Sequence, residues 1–424
     1  MTVRSEPAVR RPARQARPAR QRRSLSHVGG AVDLGGSRME ALALANALHV
    51  APATPTGPEG EDRAHVHGFH TYPARMHPAT AARLIEAFSP MGSRVLDPFC
   101  GSGTVLVEAM LLGRAALGTD LNPVAVRLAT TKTRPHSPDD LRELVMAARQ
   151  VAAFADARRR ARAGATRRYP QEDVAMFDPH VLLELDSLRT GIGEAAESLG
   201  TDLSMVLSSI LVKLSRKRGD TSEETDTRRL AGGYPSSLLV RKTEELAARL
   251  AELEALLPSP RPRARVVLDD AARLASVRDA SVDLMLTSPP YAGTYDYLAH
   301  HALRARWLGL DARGLERGEV GARRRYADLR GAEGRAAWAG ELERILASAE
   351  RVLRRGSLLV LLLGDSAVAG VPLRADEMVL AAAERTRMEC VARASQTRPH
   401  FHGPSAEAFR GKPRAEHALL LRRR

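Results

Sequence analysis

The apolar positions of this chain change rhythm several times, and each rhythm predicts a different element. Up to about residue 61 there is little to bury: the opening MTVRSEPAVRRPARQARPARQRRS is Arg, Pro, Ala and Gln, and APATPTGPEGEDR closes the stretch. That composition predicts a disordered, basic Arg/Pro-rich tail over 1–61. Regular structure is expected from near Tyr72. Ala81, Leu84, Ile85 and Phe88 share one helical face before Pro90 and Gly92 break it. SRVLD and RAALGTD then read as short strands, and VLVEAMLLG and LNPVAVRLATTKT as the helices that follow them. Strand and helix alternating in such short units predict a parallel α/β sheet.

From 135 to 261 the pattern turns mostly helical and charged, as in LRELVMAARQVAAFADARRRARA, HVLLELDSLRTGI, DLSMVLSSILVKL and SSLLVRKTEELAARLAELEALL. PSPRPRAR reads as a linker, after which the α/β rhythm resumes with ARVVLDD, SVDLMLT and the buried strand GSLLVLLLGDS. MECVARASQTR and EHALLLRRR are expected to finish the sheet as an antiparallel pair. The predicted organisation is one α/β domain over 62–134 and 262–424, a helical insertion over 135–261, and the tail.

Composition narrows the function. The chain has 424 residues, 44% hydrophobic and 27% charged, an ordinary globular balance. Lys plus Arg number 64 against 50 acids, a formal charge of +14, which favours a polyanion such as nucleic acid. Two cysteines exclude a disulfide framework and a cysteine-rich zinc module. No apolar run approaches the ~18 residues of a membrane span. With no apolar secretory stretch at its start, the chain is expected in the cytoplasm, without a membrane partner.

Two motifs carry chemistry. Asp97-Pro-Phe99-Cys-Gly101-Ser-Gly103-Thr104 lies where a parallel strand turns into a helix. Its glycines let backbone amides approach a ligand, and the following helix start favours an anionic group. Asp120 ends the next strand, where a carboxylate accepts from a ribose or caps a helix. The second motif, Thr287-Ser288-Pro289-Pro290-Tyr291, also ends a strand. Two prolines remove two amide donors and leave carbonyl acceptors pointing outward. Beside them a hydroxyl and a ring suit a planar amine.

Together, DPFCGSGT and TSPPY resemble the cofactor and catalytic motifs of the DNA amino-methyltransferases, which modify cytosine N4 or adenine N6. The resemblance implies a doubly wound, Rossmann-like sheet that binds S-adenosylmethionine. It assigns Asp97, Phe99, Gly101, Gly103 and Thr104 to the methionine part and Asp120 to the ribose. Asp269 falls near the adenine, with Asp270 as its rival. FHTYPARMHP stands where the family has a further cofactor-contacting element. Ser288, Pro289, Pro290 and Tyr291 become the catalytic loop, and its Ser form favours cytosine N4. The substrate implied is duplex DNA with the target base flipped out; a partner endonuclease is left open. The alternatives are an adenine-N6 enzyme and an RNA methyltransferase of the guanine-N2 type, whose catalytic loop usually reads DPPY.

The remaining candidates divide between function and packing. Lys213, Arg216, Lys217 and Arg218 end an apolar helix and would grip phosphates or simply suit a helix C-terminus. Tyr295 and Tyr297 would line a base pocket or pack in the core. Cys100 is expected to pack. His65, His67, His70 and His77 cluster in sequence, but without Cys or acidic partners at ligand spacing no metal is expected. The helical insertion is the expected target-recognition region.

Overall fold

A computed structural model describes residues 30–50, 63–219, 225, 229–398 and 406–424. Its frame is an eight-stranded sheet built from β1 (Val32–Gly36), β2 (Arg94–Asp97), β3 (Ala115–Asp120), β4 (Ala264–Leu268), β5 (Val282–Thr287), β6 (Leu353–Gly364), β9 (Met388–Thr397) and β10 (Ala415–Arg423). A separate two-stranded hairpin, β7 (Ser366–Val368) with β8 (Val371–Leu373), follows β6. The order in the large sheet is β1-β9-β10-β6-β5-β2-β3-β4. The central pairs β6–β5, β5–β2, β2–β3 and β3–β4 are parallel. β10 runs antiparallel to both β6 and β9, as the two terminal strand patterns predict.

This is the expected doubly wound α/β sheet. From β2 the chain winds outward through β3 to β4, and from β5 it winds the other way to β6. The order therefore reverses between β2 and β5, where the carboxyl ends of parallel strands leave a crevice for a ligand. The two motifs follow those two strands.

Residues 30–50 correct the reading of the tail. They form β1, which adds antiparallel to β9 at the sheet edge, and the helix Arg38–Leu48. That helix buries Ala41, Leu44, Ala47 and Leu48, a helical-spaced face hidden by its modest apolar content. The rest of the expected tail, 1–29 and 51–61, lies outside the described residues.

Between 138 and 256 the chain forms the helices Pro138–Arg160, Gln171–Met176, Pro179–Gly193, Glu197–Leu214 and Tyr234–Leu256. Local signals explain their ends. Ser137 and Asp140 make a reciprocal capping box ahead of Pro138, and Gly233 adopts a left-handed conformation before Tyr234. These helices share one apolar core with Val66, Phe69, Val107, Leu128 and Trp307. The insertion is thus packed onto the helical layer of the α/β domain. Among the described residues no helix is long and apolar enough to cross a membrane.

Candidate active site

The crevice between β2 and β5 opens into a cavity lined by both motifs. Asp97, Phe99, Gly101, Ser102 and Thr104 form one wall, with Asp120 beside them and Ser288 and Pro290 opposite. Gly101 and Gly103 have φ of +49° and +81°, a region that side chains disfavour. A Cβ on Gly101 would also come within 3.1 Å of the Tyr72 ring.

Two carboxylates hold the turns together. Asp97 Oδ1 accepts from the Phe99 amide at 3.1 Å and from the Thr287 hydroxyl at 2.7 Å, so it ties the Gly-rich turn to the residue before Ser288. Burial pushes the Asp97 carboxyl up to about 7. Asp120 accepts from the Gly101 amide at 2.9 Å and the Asn122 amide at 2.8 Å. Its carboxyl is pushed up to about 6, again chiefly by burial, with the amide hydrogen bonds opposing the rise.

The helix Thr104–Leu111 starts behind Gly103 with no side-chain cap. The Ser102 and Thr104 hydroxyls, both lining the cavity, are buried without a hydrogen-bond partner. Buried hydroxyls in that state are costly. A ligand carrying a carboxylate satisfies them together with the helix-start amides. S-adenosylmethionine, the cofactor of the family that the motifs resemble, carries such a carboxylate and fits this donor set.

One of the expected cofactor residues lies away from the cavity. Asp269 accepts from the Asp270 amide and from both the amide and hydroxyl of Ser276, and is not among the cavity residues. Asp270, its rival, does line the cavity. The two stand side by side after β4, and sequence alone does not say which turns inward.

The Ser288–Tyr291 loop is split between cavity and packing. Ser288 and Pro290 face the cavity, whereas Pro289 is buried. The partly buried Tyr291 ring sits outside the cofactor cavity. Its hydroxyl donates to Glu416 at 3.3 Å, and the Arg414 guanidinium lies 6.0 Å from the ring centroid. Burial, then the Glu416 carboxylate, raise the Tyr291 phenol above its usual range. Gly364 gives the ring room: a Cβ there would fall 2.8 Å from Tyr291 Cε2 and 2.5 Å from an Arg414 nitrogen.

Several lining residues escape a motif search. Tyr72, Arg75 and Met76 reach the cavity from FHTYPARMHP. Tyr72 accepts from Asn122 Nδ2 at 3.3 Å and stacks 4.8 Å from His301. Tyr297 also lines the cavity, 6.2 Å from Tyr72, while Tyr295 lies 5.8 Å from Tyr297. Leu315 and Gly318, on the short helix Arg313–Gly318, and Glu319 just after it also line the cavity, and no motif marks them. Glu319 accepts from the Tyr297 and Leu298 amides and is paired with Arg324.

The basic quartet gathers at a different place. Arg216 donates to Asp178 at 2.9 Å and to the Ala175 carbonyl, which fastens one helix end to its neighbour. Lys213 and Arg218 are exposed, and none of the four lines the cofactor cavity. Cys100 is buried against Gly118, where a Cβ would be 3.2 Å from its sulfur.

Known proteins match the same region. Residues 53–131 fit the family model described as DNA methylase. The type II methyltransferase M.MvaI of Kocuria varians is 41% identical over 78 residues, 18% of this chain and 17% of that protein. M.BsoBI of Geobacillus stearothermophilus, also a type II methyltransferase, is 25% identical over 280 residues, 58% of this chain and 53% of that protein. A tRNA (guanine(10)-N2)-dimethyltransferase of Methanothermobacter thermautotrophicus is 40% identical over 52 residues, 12% of this chain and 16% of that protein. The chain thus spans about half the length of M.BsoBI and less of the others. The resemblance to the DNA amino-methyltransferases is borne out by these matches.

Proposed function

We propose that this chain, which shares its cofactor segment with the DNA methylases, transfers a methyl group from S-adenosylmethionine to an exocyclic amine of DNA, cytosine N4 being the target. The observation that carries the reading is the meeting of Ser288 and Pro290 with Asp97, Gly101 and Asp120 on one cavity at the sheet's switch point.

An exocyclic amine is a poor nucleophile because its lone pair is delocalised into the ring. In this reading the Ser288 hydroxyl and the Pro289 carbonyl accept its two N–H bonds and draw the nitrogen toward a tetrahedral shape. The lone pair then faces the cavity. The bound cofactor supplies an electrophilic sulfonium methyl. Positioning provides most of the acceleration, no covalent protein intermediate is required, and the one proton that the methylated amine sheds leaves to solvent. Tyr291 supplies a ring for a flipped base, held in place by Glu416 and Arg414. Gly364→Ala would push that ring aside. It is expected to slow transfer by up to roughly 100-fold, as small misplacements do, with cofactor affinity unchanged; single-turnover assays and calorimetry read the two quantities separately.

The test of the whole reading is nucleoside mass spectrometry after incubating the protein with cofactor and either duplex DNA or total RNA. N4-methylcytosine in DNA supports it. N6-methyladenine keeps the mechanism and corrects the base. Methylguanosine in RNA alone moves the chain to the guanine-N2 type, the reading favoured by the tRNA methyltransferase match.

A further inference from the structure

The fold supplies what the histidine cluster lacks in sequence. Glu108, one turn into the helix that follows the Gly-rich turn, reaches the short turn His65–Gly68 and places Oε1 2.7 Å from His67 Nε2. The His65 and His67 rings lie 4.7 Å apart. One donor atom from each of His65, His67 and Glu108 lies within 4.8 Å of the other two, and all three residues are buried. Both imidazoles keep a buried Nδ1 without a partner. Two imidazoles and one carboxylate are a zinc donor set.

We propose that His65, His67 and Glu108 hold a divalent metal ion of the zinc type, which fastens the segment leading to Tyr72 onto the helix of the Gly-rich turn. The ion is structural. His65 and His67 lie just before Tyr72, Arg75 and Met76, which line the cavity. Glu108 lies one turn after Thr104, which lines it from the other side. The site is separate from the methyl-transfer chemistry and stands whichever substrate is modified.

Its surroundings set its strength. Arg75 donates to the His67 carbonyl and Arg249 to the His65 carbonyl. Lys132, fully buried, has no partner for its Nζ and lies close enough to act on both imidazoles. This positive neighbourhood opposes a cation, so the affinity is lower than three such ligands reach in a neutral setting. The second buried cluster, Asp365, Asp376 and His417, differs in kind: Asp365 is bound by Arg374, His417 and the amides of Ala375 and Ala415, and Asp376 by Arg393.

Untagged full-length protein, stripped with chelator and titrated with zinc, tests this by atomic-emission metal analysis after gel filtration and by thermal melting. One zinc per chain is expected, with a rise of several degrees in Tm at saturating metal. Glu108→Gln retains an oxygen for His67 and is expected to weaken binding at least tenfold. The proposal is overturned by the absence of saturable zinc binding in the parent protein or by unchanged binding in a folded Glu108→Gln variant.

Discussion

Ser288→Ala is expected to lower kcat by roughly 100- to 1,000-fold, the usual effect of removing one polar group that acts at the reacting centre. Cofactor affinity is expected to stay within about twofold. The reasoning is local. Thr287, the neighbouring hydroxyl, is fully buried and committed to Asp97. Ser288 is therefore the hydroxyl at the end of β5 that faces the cavity. Alanine removes its oxygen while Pro289 and Pro290 keep the turn stiff. Single-turnover methylation of duplex DNA, paired with calorimetric cofactor binding, reads the two effects. A variant with normal kcat would show that the amine is held elsewhere, and the catalytic assignment would fall.

The two strand-end motifs were legible because each concentrates unusual chemistry at a place that the hydrophobic rhythm already marks as a strand end. Glycines where a ligand approaches, and prolines where amides must be absent, are local necessities, so they appear as local patterns. The antiparallel finish of the sheet was legible for a related reason: β9 and β10 are the last two strand-like segments of the chain, with no helical pattern between them. What tertiary packing decides was not legible. Asp269 and Asp270 are adjacent, and only Ser276, seven residues on, makes the first inward-looking candidate a loop-capping acid. Glu319 lies beyond a helix and a loop, and reaches the cavity because Gly318 lets its turn sit on Leu121, where a Cβ would stand 2.7 Å from a methyl carbon. Glu108 lies 41 residues from His67, so no spacing rule joins them. Residues 30–50 read as tail because their apolar face is small, and a sheet edge needs only a small one.

Cofactor binding is expected to weaken about tenfold between pH 7 and pH 5, and Asp120→Asn is expected to remove that dependence. Burial has moved the Asp120 carboxyl up to about 6, above the roughly 3.9 of an unfolded chain. If ribose hydroxyls donate to Asp120, as the motif resemblance implies, they need its ionised form, so below about pH 6 binding must first expel a proton. The stability of the ligand-free protein moves the opposite way. A carboxyl raised on folding binds its proton more tightly in the native state, so its contribution to stability grows as pH falls from about 6 toward 4. Asp97, pushed up to about 7 by burial, has the same sign in a higher window. Any slope that survives in Asp120→Asn and centres near pH 7 belongs to Asp97. At pH 8, where both acids are ionised, Asp120→Asn is expected to weaken the cofactor roughly 10- to 100-fold, the range for losing hydrogen bonds to a charged group. Its amide also presents an N–H to the Gly101 or Asn122 amide, so part of that loss is distortion of the turn. Calorimetry across pH 5 to 8 measures all three quantities. An affinity that stays flat over that range in the parent protein would mean that Asp120 does not hold the ribose.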